Sequence, residues 1–176
     1  DLTALPDDQI RYEIIDGELY EMPAPTWAHA SVIAGLITML IPMLQRLGAQ
    51  WRTAPLDVFF AGADPVQPDI IVLLPGSHAR GIRRGVEGPP DLLIEVLSPS
   101  NRAHDQVRKR ALYARGGVRE YWIVDPDAAS IEIIGSDGKT VQRVAATAES
   151  SVTLRSPLLG DLTADPSTLF PADIED

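Results

Sequence analysis

The order of segments along this chain predicts a mixed α/β or α+β fold, a central sheet flanked by helices, in one domain over residues 1–176. Three observations predict it. Asp16-Gly17 divides two short alternating stretches, a hairpin signal. Residues 31–47 are apolar with a helical period. Residues 70–74 and 92–97 are almost unbroken apolar runs, the composition of strands covered on both faces.

The elements follow in order. Tyr12-Glu13-Ile14-Ile15 and Glu18-Leu19-Tyr20-Glu21 form an N-terminal hairpin around Asp16-Gly17. Thr26 is placed to cap a long helix that ends at Gly48. Ile33, Leu36, Ile37, Leu40, Leu44 and Leu47 recur at threes and fours, and Val32, Met39 and Met43 widen that stripe. Pro42, Gln45 and Arg46 interrupt the segment, which falls short of the ~20 apolar residues of a membrane span. Strands are expected at 50–53 and 57–60, then at the two apolar runs. Residues 75–90 between those runs are rich in glycine and arginine and read as a mobile loop. A second helix is expected at 101–115, capped by Ser100 or Asn101 and stopped at Gly116 or Gly117. A strand at 121–124 and a hairpin of 131–134 with 141–145 follow, and the turn-rich tail from Pro157 is expected to wrap the surface.

Composition narrows the function. The chain has 176 residues, 45 % hydrophobic and 23 % charged, which is globular composition. The absence of cysteine excludes disulfide scaffolds, thiolate zinc sites and cysteine nucleophiles. With no signal-like start, a cytoplasmic protein is expected. The net charge of −10 argues against a sequence-independent DNA coat. Residues 80–119 run the other way: nine basic against four acidic side chains, a net of +5. Such a segment either faces an anionic substrate or is a solvated arginine-rich surface.

Glu95 stands inside an apolar run between Ile94 and Val96. An ionised carboxylate there costs several kcal/mol unless it is paired or binds a cation, roughly as any buried ion does. It is either a functional acid, a strand end dipping into solvent, or the partner of a helix arginine. Asp69 opens the preceding apolar run after Pro68, so neighbouring strands can bring both carboxylates to one sheet edge, where a divalent cation would relieve their repulsion. Asp91 lies ~13 Å from Glu95 at ~3.3 Å per residue, too far to share that ion. Lys109 falls on the second helix with Asp105, Leu112 and Tyr113 on one face. Leu112 suggests that this face looks inward; the alternative is a surface Asp105–Lys109 pair. His29 is either a capping or surface residue or a proton carrier. No phosphate-cradling glycine loop and no serine triad spacing is present.

Pro68-Asp69, residues 90–100 with Glu95, Lys109, Tyr113, Gly117-Val118 and residues 120–126 together resemble the Uma-two family, restriction endonuclease-like proteins of the PD-(D/E)XK nuclease superfamily. Residues 12–19 and His29 are similar to it as well, so the resemblance spans roughly residues 10–170. It implies a restriction endonuclease-like core of helix, three strands, helix and strand, with the hairpins added at either end. It implies DNA phosphodiester cleavage dependent on Mg2+ or Mn2+, with Asp69 and Glu95 as metal ligands helped by the Val96 carbonyl. Glu18 would be the extra acid from the N-terminal region, with Glu13 and Glu21 competing for that role. A lysine would orient the attacking water and stabilise the transition state. The usual lysine position, two residues after the acid, holds Leu97 here. Lys109 is then the candidate, as in related nucleases whose lysine has moved to this helix. Arg80, Arg83, Arg84, Arg102 and Arg108 would contact backbone phosphates. The alternative is a nuclease-like domain without activity that serves as a binding or assembly module. A homodimer is expected in either case, because the long helix and the C-terminal hairpin offer more apolar surface than one small domain needs.

Overall fold

The computed structural model describes residues 11–15, 18–22, 25–98, 102–145 and 151–170. β1 (Arg11–Ile15) and β2 (Glu18–Met22) pair antiparallel with Ile15 opposite Glu18, the register that a two-residue connection requires. α1 (Trp27–Leu47) begins where the Thr26 hydroxyl accepts the N–H of His29 at 3.2 Å and ends at Gly48 in the left-handed conformation. Next come β3 (Gln50–Thr53), β4 (Asp57–Phe59), β5 (Ile70–Leu73), β6 (Arg80–Ile82), β7 (Gly85–Glu87) and β8 (Leu92–Val96). α2 (Arg102–Gly116) leads to β9 (Glu120–Asp125), β10 (Ser130–Gly135), β11 (Thr140–Ala145), β12 (Val152–Ser156), β13 (Gly160–Ala164) and α3 (Pro166–Leu169). The residues expected to cap α2 lie outside the described residues.

The central sheet has six strands in the order β11-β10-β9-β8-β5-β3. β8 and β9 run parallel with α2 as their crossover, and the other neighbours are antiparallel. The period of two along each strand divides the core. Ile70, Val72, Leu92, Ile94, Trp122 and Val124 point to the side of α1, where Val32, Leu36, Leu40 and Leu44 meet them. Ile71, Leu93, Tyr121 and Ile123 point to the side of α2, against Leu112 and Tyr113. Strands covered on both faces therefore read as continuous apolar runs.

α1 is 21 residues long and apolar enough, by length and composition, to cross a membrane, more so than its interruptions at Pro42, Gln45 and Arg46 suggest. Its row of Val32, Leu36, Leu40 and Leu44 packs on the sheet.

Two other expectations are corrected. Residues 75–90 do not form a structureless loop: β6 and β7 pair as a hairpin with Ile82 opposite Gly85, and β7 runs parallel to β4. This separate three-stranded sheet buries Val58 and Val86. A side chain at position 85 would bring a Cβ within 2.2 Å of the Asp57 carbonyl, so only glycine lets the strands close. The tail does not merely wrap the surface either. β12 and β13 pair, and Leu154, Leu159, Leu162 and Leu169 fill the core beneath α1. α3 comes so near to α1 that a Cβ on Gly35 would sit 2.6 Å from the Thr168 carbonyl oxygen.

Candidate active site

The register of β5 against β8 sets Ile70 opposite Ile94. Carried one residue further, it sets Asp69 opposite Glu95, at the end of the sheet where the two strands part. The main chain links the two acids. The N–H of Val96, next to Glu95, donates to Asp69 Oδ2 at 2.8 Å.

Glu95 points to the α2 side and is 7 % exposed. Lys109 Nζ lies 3.2 Å from each of its carboxylate oxygens, and the lysine is 1 % exposed. The Tyr113 hydroxyl donates to Oε1 at 2.6 Å. Lys109 and Tyr113 are one helical turn apart, so both reach the same carboxylate. The Tyr113 ring is fixed edge-on against Tyr121, with centroids 4.8 Å apart, and tilted against Phe60 at 5.9 Å. A buried ion pair persists only when its partners return the lost hydration, and here an ammonium and a phenol share that task. Lys109 thus faces the sheet rather than solvent.

Asp69 has different company. His29, in the first turn of α1, brings Nε2 to 3.3 Å from Oδ2. Oδ2 thereby accepts one hydrogen bond and faces the imidazole, and Oδ1 has no partner among the described residues. His29 and Asp69 line one pocket of about 290 Å3 with Pro25, Ile33, Ile37 and Thr53. His29, weighed in the sequence as a capping or surface residue, is instead turned inward. The resemblance pointed to this residue; its position and spacing in the sequence did not. Tyr113 carried a signal, four positions beyond Lys109.

The donor chemistry fits a hard cation in part. Two carboxylates from adjacent strands, one with an oxygen that has no partner among the described residues, match a site where one or two acids and water hold Mg2+. Against this, among the described residues no group of three or more His, Asp or Glu side chains is close enough to hold an ion. Glu18 begins β2, and its side chain lies outside the described residues, as does that of Arg102 in α2.

The basic segment is less free than its count suggests. Arg80 pairs with Glu87 at 2.5 Å, and Arg119 pairs with Asp91 at 2.9 Å. Arg110 donates to Glu132, Gly138 and Thr140. Arg108 is half-buried. Arg83 and Arg84 form the exposed tip of the β6–β7 hairpin, with the Arg84 guanidinium 4.7 Å from the centre of the Phe59 ring. Asp91 also accepts the N–H of Leu74 at 2.8 Å, a structural post away from the Asp69–Glu95 pair.

Comparison with known proteins gives the same fold and a family. A family described as "Putative restriction endonuclease", Uma2, matches residues 1–167. The chain belongs to the Uma2 family. Among solved structures it is similar to a "putative nuclease belonging to DUF820" from Anabaena variabilis, with 19 % identity and a TM-score of 0.75. The match covers 96 % of this chain and 94 % of that one, so the fold is shared over nearly the whole length. No curated protein matches. Uma2 membership makes a nuclease the class of activity to consider.

Proposed function

We propose that the domain hydrolyses phosphodiester bonds in DNA with the help of Mg2+ or Mn2+, held by Asp69 and Glu95 with the Val96 carbonyl. The observation that carries the reading is the buried Lys109 ammonium lying against Glu95, one strand from an Asp69 whose Oδ1 has no partner among the described residues. When bound, a divalent cation supplies polarisation of the phosphate and neutralisation of developing charge. The chain's own residues do the rest. Tyr113 and Lys109 hold the Glu95 carboxylate, and the lysine presents a desolvated positive charge where negative charge grows on the phosphoryl oxygens. Glu18 is the additional acid in this reading. Arg83 and Arg84, with Arg80, Arg102 and Arg108, contact backbone phosphates away from the reacting one.

A second reading, a domain without activity that acts as a binding or assembly module, is favoured by one observation: Glu95 already has two donors. Supercoiled plasmid incubated with Mg2+ or Mn2+, together with Mn2+ calorimetry, separates the two. The wild type is expected to bind Mn2+ and cut. Asp69→Ala and Glu95→Ala are expected to lose both. Lys109→Met is expected to keep Mn2+ binding and lose at least about 100-fold in rate. Wild-type protein with neither affinity nor cleavage supports the second reading, and undiminished cutting by Lys109→Met removes the lysine from the mechanism. The homodimer is a separate proposal. Leu36, Leu40, Leu44, Ile131 and Ile133 are buried within the chain, while Ile33, Ile37, Met39, Met43 and Leu47 of the α1 stripe are only partly covered. Sedimentation showing monomer alone rejects it.

A further inference from the structure

Asp69 is restrained on one oxygen. Oδ2 accepts the Val96 N–H at 2.8 Å and lies 3.3 Å from His29 Nε2, while Oδ1 has no partner among the described residues. The imidazole is unusual in its surroundings. The His29 side chain is only 12 % exposed, and its Nδ1 is buried without a hydrogen-bond partner among the described residues. A hydrogen on Nδ1 would be an unpaired buried donor, whereas a hydrogen on Nε2 has a carboxylate oxygen 3.3 Å away. The geometry therefore selects the tautomer that donates from Nε2. The backbone of His29 is fixed as well, because its N–H is held by the Thr26 hydroxyl at the start of α1.

We infer that His29 is a positioning residue for Asp69: it donates from Nε2 to Oδ2 and, with the Val96 amide, leaves Oδ1 as the oxygen that Asp69 offers to a divalent cation. This rests on the proposed function and adds a residue to it. A carboxylate turns easily about its last bond and can present either oxygen. Two donors on Oδ2 end that freedom. One donor comes from the strand that carries Glu95 and the other from the helix on the opposite face, so the orientation of Asp69 is tied to both layers. Partners of this kind, which touch a ligand rather than the metal, commonly govern affinity.

The test is Mn2+ calorimetry on the whole chain, with unfolding temperature recorded for each variant. His29→Ala and the shape-filling His29→Leu both remove the donor, so loss of packing and loss of the hydrogen bond are distinguished. Both are expected to weaken Mn2+ binding about 10- to 100-fold. His29→Gln, whose amide can donate to the same oxygen, is expected to recover most of that loss. Wild-type affinity in His29→Leu overturns the positioning role. Weak binding in all three variants overturns the assignment of a hydrogen bond from Nε2. Asp69→Ala is the control for the site itself: if neither it nor the wild type binds Mn2+, the metal-dependent reading fails, and this inference fails with it.

Discussion

Glu95 and Glu120 occupy neighbouring parallel strands, and Glu132 lies on the next strand along. All three are carboxylates at most 7 % exposed. Their donors differ. Glu120 accepts the Trp122 indole N–H and the Ser156 hydroxyl, each at 2.6 Å, and the Leu158 N–H at 3.0 Å. Those neutral groups pin the β12–β13 hairpin to the sheet. Glu132 is shared by Arg110, Arg143 and Thr140, which fasten α2 and β11 to β10. Among the described residues, Glu95 is held by an ammonium and a phenol, at the end of the sheet and beside Asp69. A carboxylate inside an apolar strand therefore marks a cost that something must offset. Whether it marks chemistry depends on what surrounds it.

Glu120 offers the most severe test of this contrast. Glu120→Ala would leave an indole, a hydroxyl and an amide unpaired, at about 1–3 kcal/mol for each buried group. The expected result is a loss of several kcal/mol of stability in denaturant unfolding. At temperatures where the variant remains folded, Mn2+ binding and DNA cleavage are expected to be unchanged. A folded Glu120→Ala protein that cannot bind the ion would show that the two glutamates are not separable.

Glu132 gives a smaller, pH-dependent effect. Burial opposes its ionisation, but the Thr140 and Arg143 hydrogen bonds and the charges of Arg143 and Arg110 outweigh burial and hold its pKa below the ordinary 4.5. The folded state thus binds this proton less readily than the unfolded chain does. Its contribution to stability is complete above about pH 4.5 and is lost as pH falls through the lower native value. Thermal unfolding from pH 6 to about pH 3 is expected to show a steeper acid decline in the wild type than in Glu132→Gln. Parallel curves would mean that the arginines contribute nothing there.

Much of the fold was legible because it rests on local rules. Thr26, Gly48 and the alternation around Asp16-Gly17 announce their elements directly. The β6–β7 hairpin was hidden because Gly81 and Gly85 dilute the apolar alternation, and the need for Gly85 comes from Asp57, far along the chain. The β12–β13 hairpin was hidden because Ser156 and Ala164 are buried without being large. At the site, Glu95 stood out from its apolar neighbours, and Leu97 in the usual lysine position left Lys109 as the candidate cation. His29 gave no comparable signal: its contact with Asp69 joins residues forty positions apart and exists only once α1 is laid across the sheet.

The smallest expected effect concerns the exposed arginines. Replacing Arg83 and Arg84 by alanine is expected to weaken DNA binding without changing Mn2+ affinity. The salt dependence is expected to fall by about one unit of slope for each phosphate that the hairpin tip no longer neutralises. An unchanged slope would assign the tip to the solvated surface.

The touch between Gly35 and Thr168 has a reach beyond its own neighbourhood. The helix that carries His29 at its start is closed against α3 by bare backbone, with no room for a methyl group at position 35. A side chain there would have to part the two helices, and the helix so displaced is the one whose imidazole faces Asp69.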